Sequence, residues 1–143
     1  PTGWRGLATS GHGGRSLSPG IADSVTVLAD CAATADVAAT LIAGAVDCPD
    51  MSGIARRPAC EIDPDSDLGN RPVTIAVPPL DPARIESALA AGHDLATQMM
   101  RSGAIAGAVL ELQGEIAVVG LDKPAALLIT GQSFTNIPRH GEV

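Results

Sequence analysis

With sixteen acidic against nine basic side chains in 143 residues, a net charge of −7, the chain lacks the basic face that phosphate neutralisation needs, and its two rings, Trp4 and Phe134, form no stacking platform, so nucleic acid is not an expected partner. The length suits one domain burying roughly two thirds of its unfolded surface. Hydrophobic residues make up 45% but are nearly all Ala, Val, Leu and Ile, which favours close helix-on-sheet packing over a pocket lined by rings.

No stretch reaches the roughly 18 uninterrupted apolar residues of a membrane span, and no basic-then-apolar leader is present, so no membrane contact is expected and the chain reads as soluble and cytoplasmic. It opens on Pro1 rather than methionine, which leaves an upstream segment open. Cys31, Cys48 and Cys60 are an odd set without a C-x-x-C pair, and read as free thiols in a reducing compartment rather than a disulfide framework or a zinc site.

In chain order, WRGLATS (4 to 10) is extended in character, and GHGGRS (11 to 16) with Pro19-Gly20 makes a loop. SVTVLA (24 to 29) alternates β-branched residues and predicts a buried strand. Asp30 or Thr34 is placed to cap a helix running to about Val46 and stopped by Asp47, Cys48 and Pro49. Residues 48 to 72 hold Pro49, Pro58, Pro64 and Pro72 with Gly53 and Gly69, which predicts an irregular surface excursion. VTIAV (73 to 77) is the next strand. Asp81 as N-cap and Pro82 at the first helical position open a long helix that continues to about Ser102 and ends at Gly103. Ile105 to Leu112 and Glu115 to Leu121 form two strands around Gln113-Gly114, a hairpin signal. Residues 122 to 143 read as a tail after a domain of 1 to 121, with AALLIT (125 to 130) able to add a strand or dock on a partner. The fold class expected is α+β, an antiparallel or mixed sheet with helices packed on one face.

Several stretches carry possible chemistry. At about 100° per residue, Val37, Ala38, Leu41, Ile42, Ala45 and Val46 cluster on one side of the first long helix, and Asp36, Thr40 and Asp47 on the other. The plain reading of Asp36 and Thr40 is a solvated face, with Asp36 near the positive end of the macrodipole. The sharper one is a pair of hard oxygen ligands, at i and i+4, for Mg²⁺. GHGGRS can serve as an ordinary flexible turn, or can present backbone N–H groups and Arg15 to a phosphate or carboxylate. DPDSDLG (63 to 69) alternates Asp63, Asp65 and Asp67, but Leu68 and Thr74 stand where a calcium loop wants Gly and Glu, so an acidic turn is expected. His93 in the long helix and His140 in the tail have no nucleophile at a recognisable spacing.

The order LATSGHGGRS, GIADSVTVLA, TADVAATLIAGAVD resembles the C-terminal half of the ApbE-like superfamily, which includes FAD:protein FMN transferases, and is closest to the UPF0280 branch. Thr9, Ser10 and Gly11 match a T-S-G tract, Ser24 to Val27 an S-V-T-V strand, and Ala35, Asp36, Ala39 and Thr40 a helix reading A-D-x-x-A-T. The resemblance implies a T-fold-related architecture, FAD or FMN as ligand, and Asp36 and Thr40 holding the Mg²⁺ that binds the pyrophosphate. With it, Thr9, Ser10, Gly11, Gly13, Gly14 and Arg15 become candidate cofactor-binding residues.

Two departures bear on transferase activity. The family's H-x-x-D-P-x-T-G stretch is replaced by the short GRSLSPGIAD, with His12 not at the family's position, and the N-terminal half that supplies much of the flavin site is not in this chain. Three readings follow: a flavin-nucleotide enzyme domain; a non-catalytic module of a larger redox enzyme, such as one resembling 6-hydroxynicotinate reductase; or a structural subunit completed by an N-terminal half or a second chain, with a homo-oligomer expected.

Overall fold

The computed structural model describes residues 3–121; residues 125 to 130, a possible further strand by sequence, lie outside them. β1 (Gly6–Ser10), β2 (Ser24–Ala29), β5 (Gly107–Leu112) and β6 (Glu115–Val119) form one four-stranded sheet in the order β1-β2-β5-β6, every neighbour antiparallel. The architecture is therefore α+β with antiparallel rather than mixed sheets. α1 (Ala32–Ala45) lies on β1 and β2, α3 (Pro82–Arg101) lies on β5 and β6, and the two helices pack against each other.

Alternation along the strands sets the core. Val25, Val27 and Ala29 of β2 and Ala108, Leu110 and Leu112 of β5 are fully buried with the helices, while Leu7, Thr9, Thr26, Val109 and Val118 make up the opposite face. Small residues bring helices and sheet close together. A Cβ on Gly92 of α3 would lie 2.4 Å from Val46 Cγ2 and 2.7 Å from Leu110 Cδ2.

α1 departs from the helical-wheel expectation. Its buried stripe is Ala35, Ala38, Ala39, Ile42 and Ala43, and Val37 and Leu41 are exposed at 60% and 52% on the side that carries Asp36 and Thr40. Alanine explains the difference: it fits a close helix-on-sheet contact better than a larger residue, so the most apolar side chains are not the most buried. Neither Asp30 nor Thr34 caps this helix. Cys31 is the N-cap, without a side-chain hydrogen bond to the backbone, and Thr34 Oγ1 instead meets Cys31 Sγ at 3.1 Å.

α3 follows the sequence signals. Asp81 Oδ1 accepts from the Arg84 N–H at 3.0 Å, Pro82 begins the helix, and Gly103 follows its end at φ +80°. The β5–β6 turn places Gln113 at φ 47° and Gly114 at φ 85°, the two positive φ values of a type I′ hairpin.

The expected irregular excursion is partly ordered. β3 (Ala55–Pro58) pairs with β4 (Pro72–Ala76) in a two-stranded antiparallel sheet, joined through a short α2 (Ala59–Ile62). The prolines that argued against regular structure stand opposite each other, Pro58 against Pro72, where the ladder stops and no N–H is needed.

Candidate functional site

β1 ends at Ser10, the glycine-rich loop turns back, and β2 begins at Ser24 beside it. Thr9, Ser10, Gly11, Gly13, Gly14 and Arg15 all line one cavity of about 190 Å³, together with Ser16, Asp23 and Ser24. Gly11 is required there: at φ +148°, a Cβ would stand 2.5 Å from the Asp23 carbonyl oxygen. Pockets for drug-sized ligands span about 300–1,000 Å³, so this cavity suits one small polar group, not a flavin.

Three of the loop's amides are already bonded within the protein. The His12 N–H donates to Ala22 O at 3.0 Å, Gly13 N–H to Asp23 O at 3.3 Å and Gly14 N–H to Gly11 O at 3.3 Å. The exposed Arg15 guanidinium and the hydroxyls on the cavity wall face a ligand there. Arg15 has no ion-pair partner among the described residues.

Asp23 joins the cavity to the rest of the fold. Its Oδ2 accepts from the Gln113 N–H at 2.5 Å, and its Oδ1 lies 3.2 Å from the buried His12 Nε2, an ion-pair distance without hydrogen-bond alignment. Gln113 in turn accepts from the Leu80 N–H at 2.9 Å and donates to Pro78 O at 2.8 Å. Beside it, Ser24 Oγ donates to Glu111 Oε2 at 3.2 Å, and the Thr9 and Thr26 hydroxyls meet at 2.8 Å. Asp23 and Ser24 were missed as site residues by sequence reasoning, although both lie within the quoted G-I-A-D-S-V-T-V string. The signal was their position directly beside the loop after a hairpin return.

Asp36 and Thr40 stand apart from this cavity and do not line it. α1 starts where β2 pairs with Gly6, and runs back so that the Ile21 N–H donates to Val46 O at 2.8 Å near the loop. At 1.5 Å per residue, Asp36 is thus about 15 Å along the axis from Val46. Both side chains are exposed, and Thr40 Oγ1 donates to the Asp36 carbonyl at 2.9 Å. Asp36 has no ion-pair partner among the described residues. Carboxylate and hydroxyl oxygens are hard donors of the kind Mg²⁺ takes alongside water and phosphate. Among the described residues no three His, Cys, Asp or Glu side chains gather for a metal.

The remaining candidates have local roles. Asp63 Oδ1 accepts from the Asp65 N–H at 3.1 Å, the Asx turn expected of the acidic loop. His93 Nδ1 lies 3.5 Å from Thr97 Oγ1 one turn along α3, and His140 is outside the described residues. All three cysteines are free. The Thr34 hydroxyl, hydrogen-bonded to Cys31 Sγ, lowers that thiol's pKa from its usual value, whereas burial, and then Asp47, raise that of Cys48. No helix among the described residues is long and apolar enough to cross a membrane.

Fold and cavity together define a helix-on-sheet α+β domain with a small polar recess at the end of its edge strand. The model of the family described as AbpE bacteria matches residues 1–118, and the chain belongs to that family. No curated protein and no solved structure matches it.

Proposed function

We propose that the chain is an ApbE-like, T-fold-related domain of the UPF0280 type that binds a flavin nucleotide, FAD or FMN, through Mg²⁺ and serves FMN transfer or a related nucleotide reaction. The observation that carries this reading is the Asp36 carboxylate and Thr40 hydroxyl exposed one turn apart on α1, in a chain of the AbpE family. Asp36 and Thr40 would hold the metal. Bound there, Mg²⁺ neutralises pyrophosphate charge and acts as a Lewis acid. Arg15 and the hydroxyls of the glycine-rich recess supply a second polar contact for an anionic group.

Isothermal titration of FAD with Mg²⁺ and then with EDTA tests the reading. Metal-dependent binding is expected, abolished in Asp36→Ala, while stability changes by no more than about 0.5 kcal/mol because the side chain is exposed. Unchanged binding in that variant defeats the metal assignment.

A second reading, a non-catalytic flavin-binding or structural module of a larger redox enzyme, is favoured by the cavity wall. It offers no thiol, amine or imidazole, and Asp23 Oδ2 already accepts from the Gln113 N–H. FAD bound with Mg²⁺ but never cleaved or transferred to a hydroxyl-bearing acceptor would select this reading.

A further inference from the structure

Among the described residues β1 is an edge strand, and its sequence, GLATS, contains none of the charges or prolines that natural edges use against pairing. The other edges differ: β6 begins with Glu115, and the β3–β4 sheet carries Arg56, Arg57 and prolines at its facing ends. Leu7 in the middle of β1 is 54% exposed. We propose that β1 pairs antiparallel with β1 of a second copy of this chain about a twofold axis, extending the sheet and completing each copy's glycine-rich cavity with the partner's Arg5.

The register follows from the strand itself. Centring the pair on Ala8 engages all of Gly6–Ser10, setting Gly6 opposite Ser10 and Leu7 opposite Thr9. The next residues outward then place the partner's Arg5 opposite Gly11, at the mouth of the cavity. Side chains alternate along a strand, so Arg5, Leu7 and Thr9 share a face, and the partner's Arg5 comes to the face from which Thr9 lines the recess.

Charge complementarity selects this occupant. Arg5 is exposed and has no ion pair among the described residues, and the cavity it would reach is walled by the Asp23 carboxylate. With Arg15 already present, a second guanidinium offsets that carboxylate and makes the recess a site for a diphosphate-sized anion. The strand contact is small beside the roughly 1,600 Å² of a standard stable interface, so assembly is concentration-dependent.

The dimer stands apart from the flavin reading; only the anion's identity as part of a nucleotide rests on it. Sedimentation velocity on the full chain over a concentration series, without nucleotide, tests the pairing. Wild type is expected to pass from monomer to dimer, and Leu7→Lys, which brings two ammonium groups near the axis from an exposed position, is expected to stay monomeric at the same melting temperature. A wild type that remains monomeric throughout, or a Leu7→Lys variant that dimerises equally well, overturns the proposal. Titration with inorganic pyrophosphate reads the cavity: Arg5→Gln should weaken binding roughly tenfold, as for the loss of one charge-assisted contact. Unchanged affinity in a dimeric Arg5→Gln removes the partner's Arg5 from the site. A dimer that binds pyrophosphate but not FAD supports this inference while defeating the flavin reading.

Discussion

The three cysteines show how little separates residues of one type. Cys31 sits exposed at the start of α1 with the Thr34 hydroxyl against its sulfur, and Cys48 is partly covered beside Asp47. A lowered pKa means more thiolate at a given pH, and a raised one means less. Alkylation of the native protein should therefore label Cys31 before Cys48, with the half-maximal rate of Cys31 below the ordinary thiol pH and that of Cys48 above it. Thr34→Val removes the leading cause at Cys31 and should move its rate profile to higher pH, leaving Cys48 unchanged; peptide mass mapping after timed iodoacetamide treatment reads both. Equal labelling of the two sites would contradict the assigned environments. Asp23 presents the opposite case, a residue whose importance lies wholly in what it reaches. Nothing near it in sequence announces the Gln113 amide, which is ninety positions away.

Among the elements, α3 was legible because its boundary signals are chemical and local. The Asp81 carboxylate accepts from the Arg84 amide, and Pro82 supplies a φ already suited to a first turn. Asp81→Ala should cost about 1 kcal/mol, measured as a shift of the urea midpoint, whereas Asp81→Asn, which keeps the cap and loses only the exposed pairing with Arg84, should cost little. A comparable loss in both variants would assign the effect to charge instead. α1 was legible in extent but not in orientation: alanine does not mark a face, and the exposed Val37 and Leu41 pulled the expected apolar side about a fifth of a turn away from the buried one. β3 and β4 were obscured because proline counts against a strand in general but not at the end of an edge pair. That Thr9, Ser10, Gly11, Gly13, Gly14 and Arg15 line one cavity follows from their closeness in sequence; the bonds of the His12 and Gly13 amides were hidden, since their acceptors, Ala22 and Asp23, belong to the returning chain.

At the level of the whole molecule, the segment after the glycine-rich loop ties separate parts together. Ser18 O accepts from the Thr74 N–H at 2.8 Å, Pro19 O accepts from Thr74 Oγ1 at 3.3 Å, and two residues on, the Ile21 N–H reaches Val46 O. Arg56 pairs with Asp47 on the same side. The small sheet, the end of α1 and the descending limb of the loop thus share one set of bonds. In hydrogen exchange, the amides of Ile21 and Thr74, distant in sequence, should lose protection together through a single sub-global opening. Whatever slows that opening at the recess would then be felt as slower exchange in β4, which makes the small sheet a remote reporter of events at the glycine-rich loop.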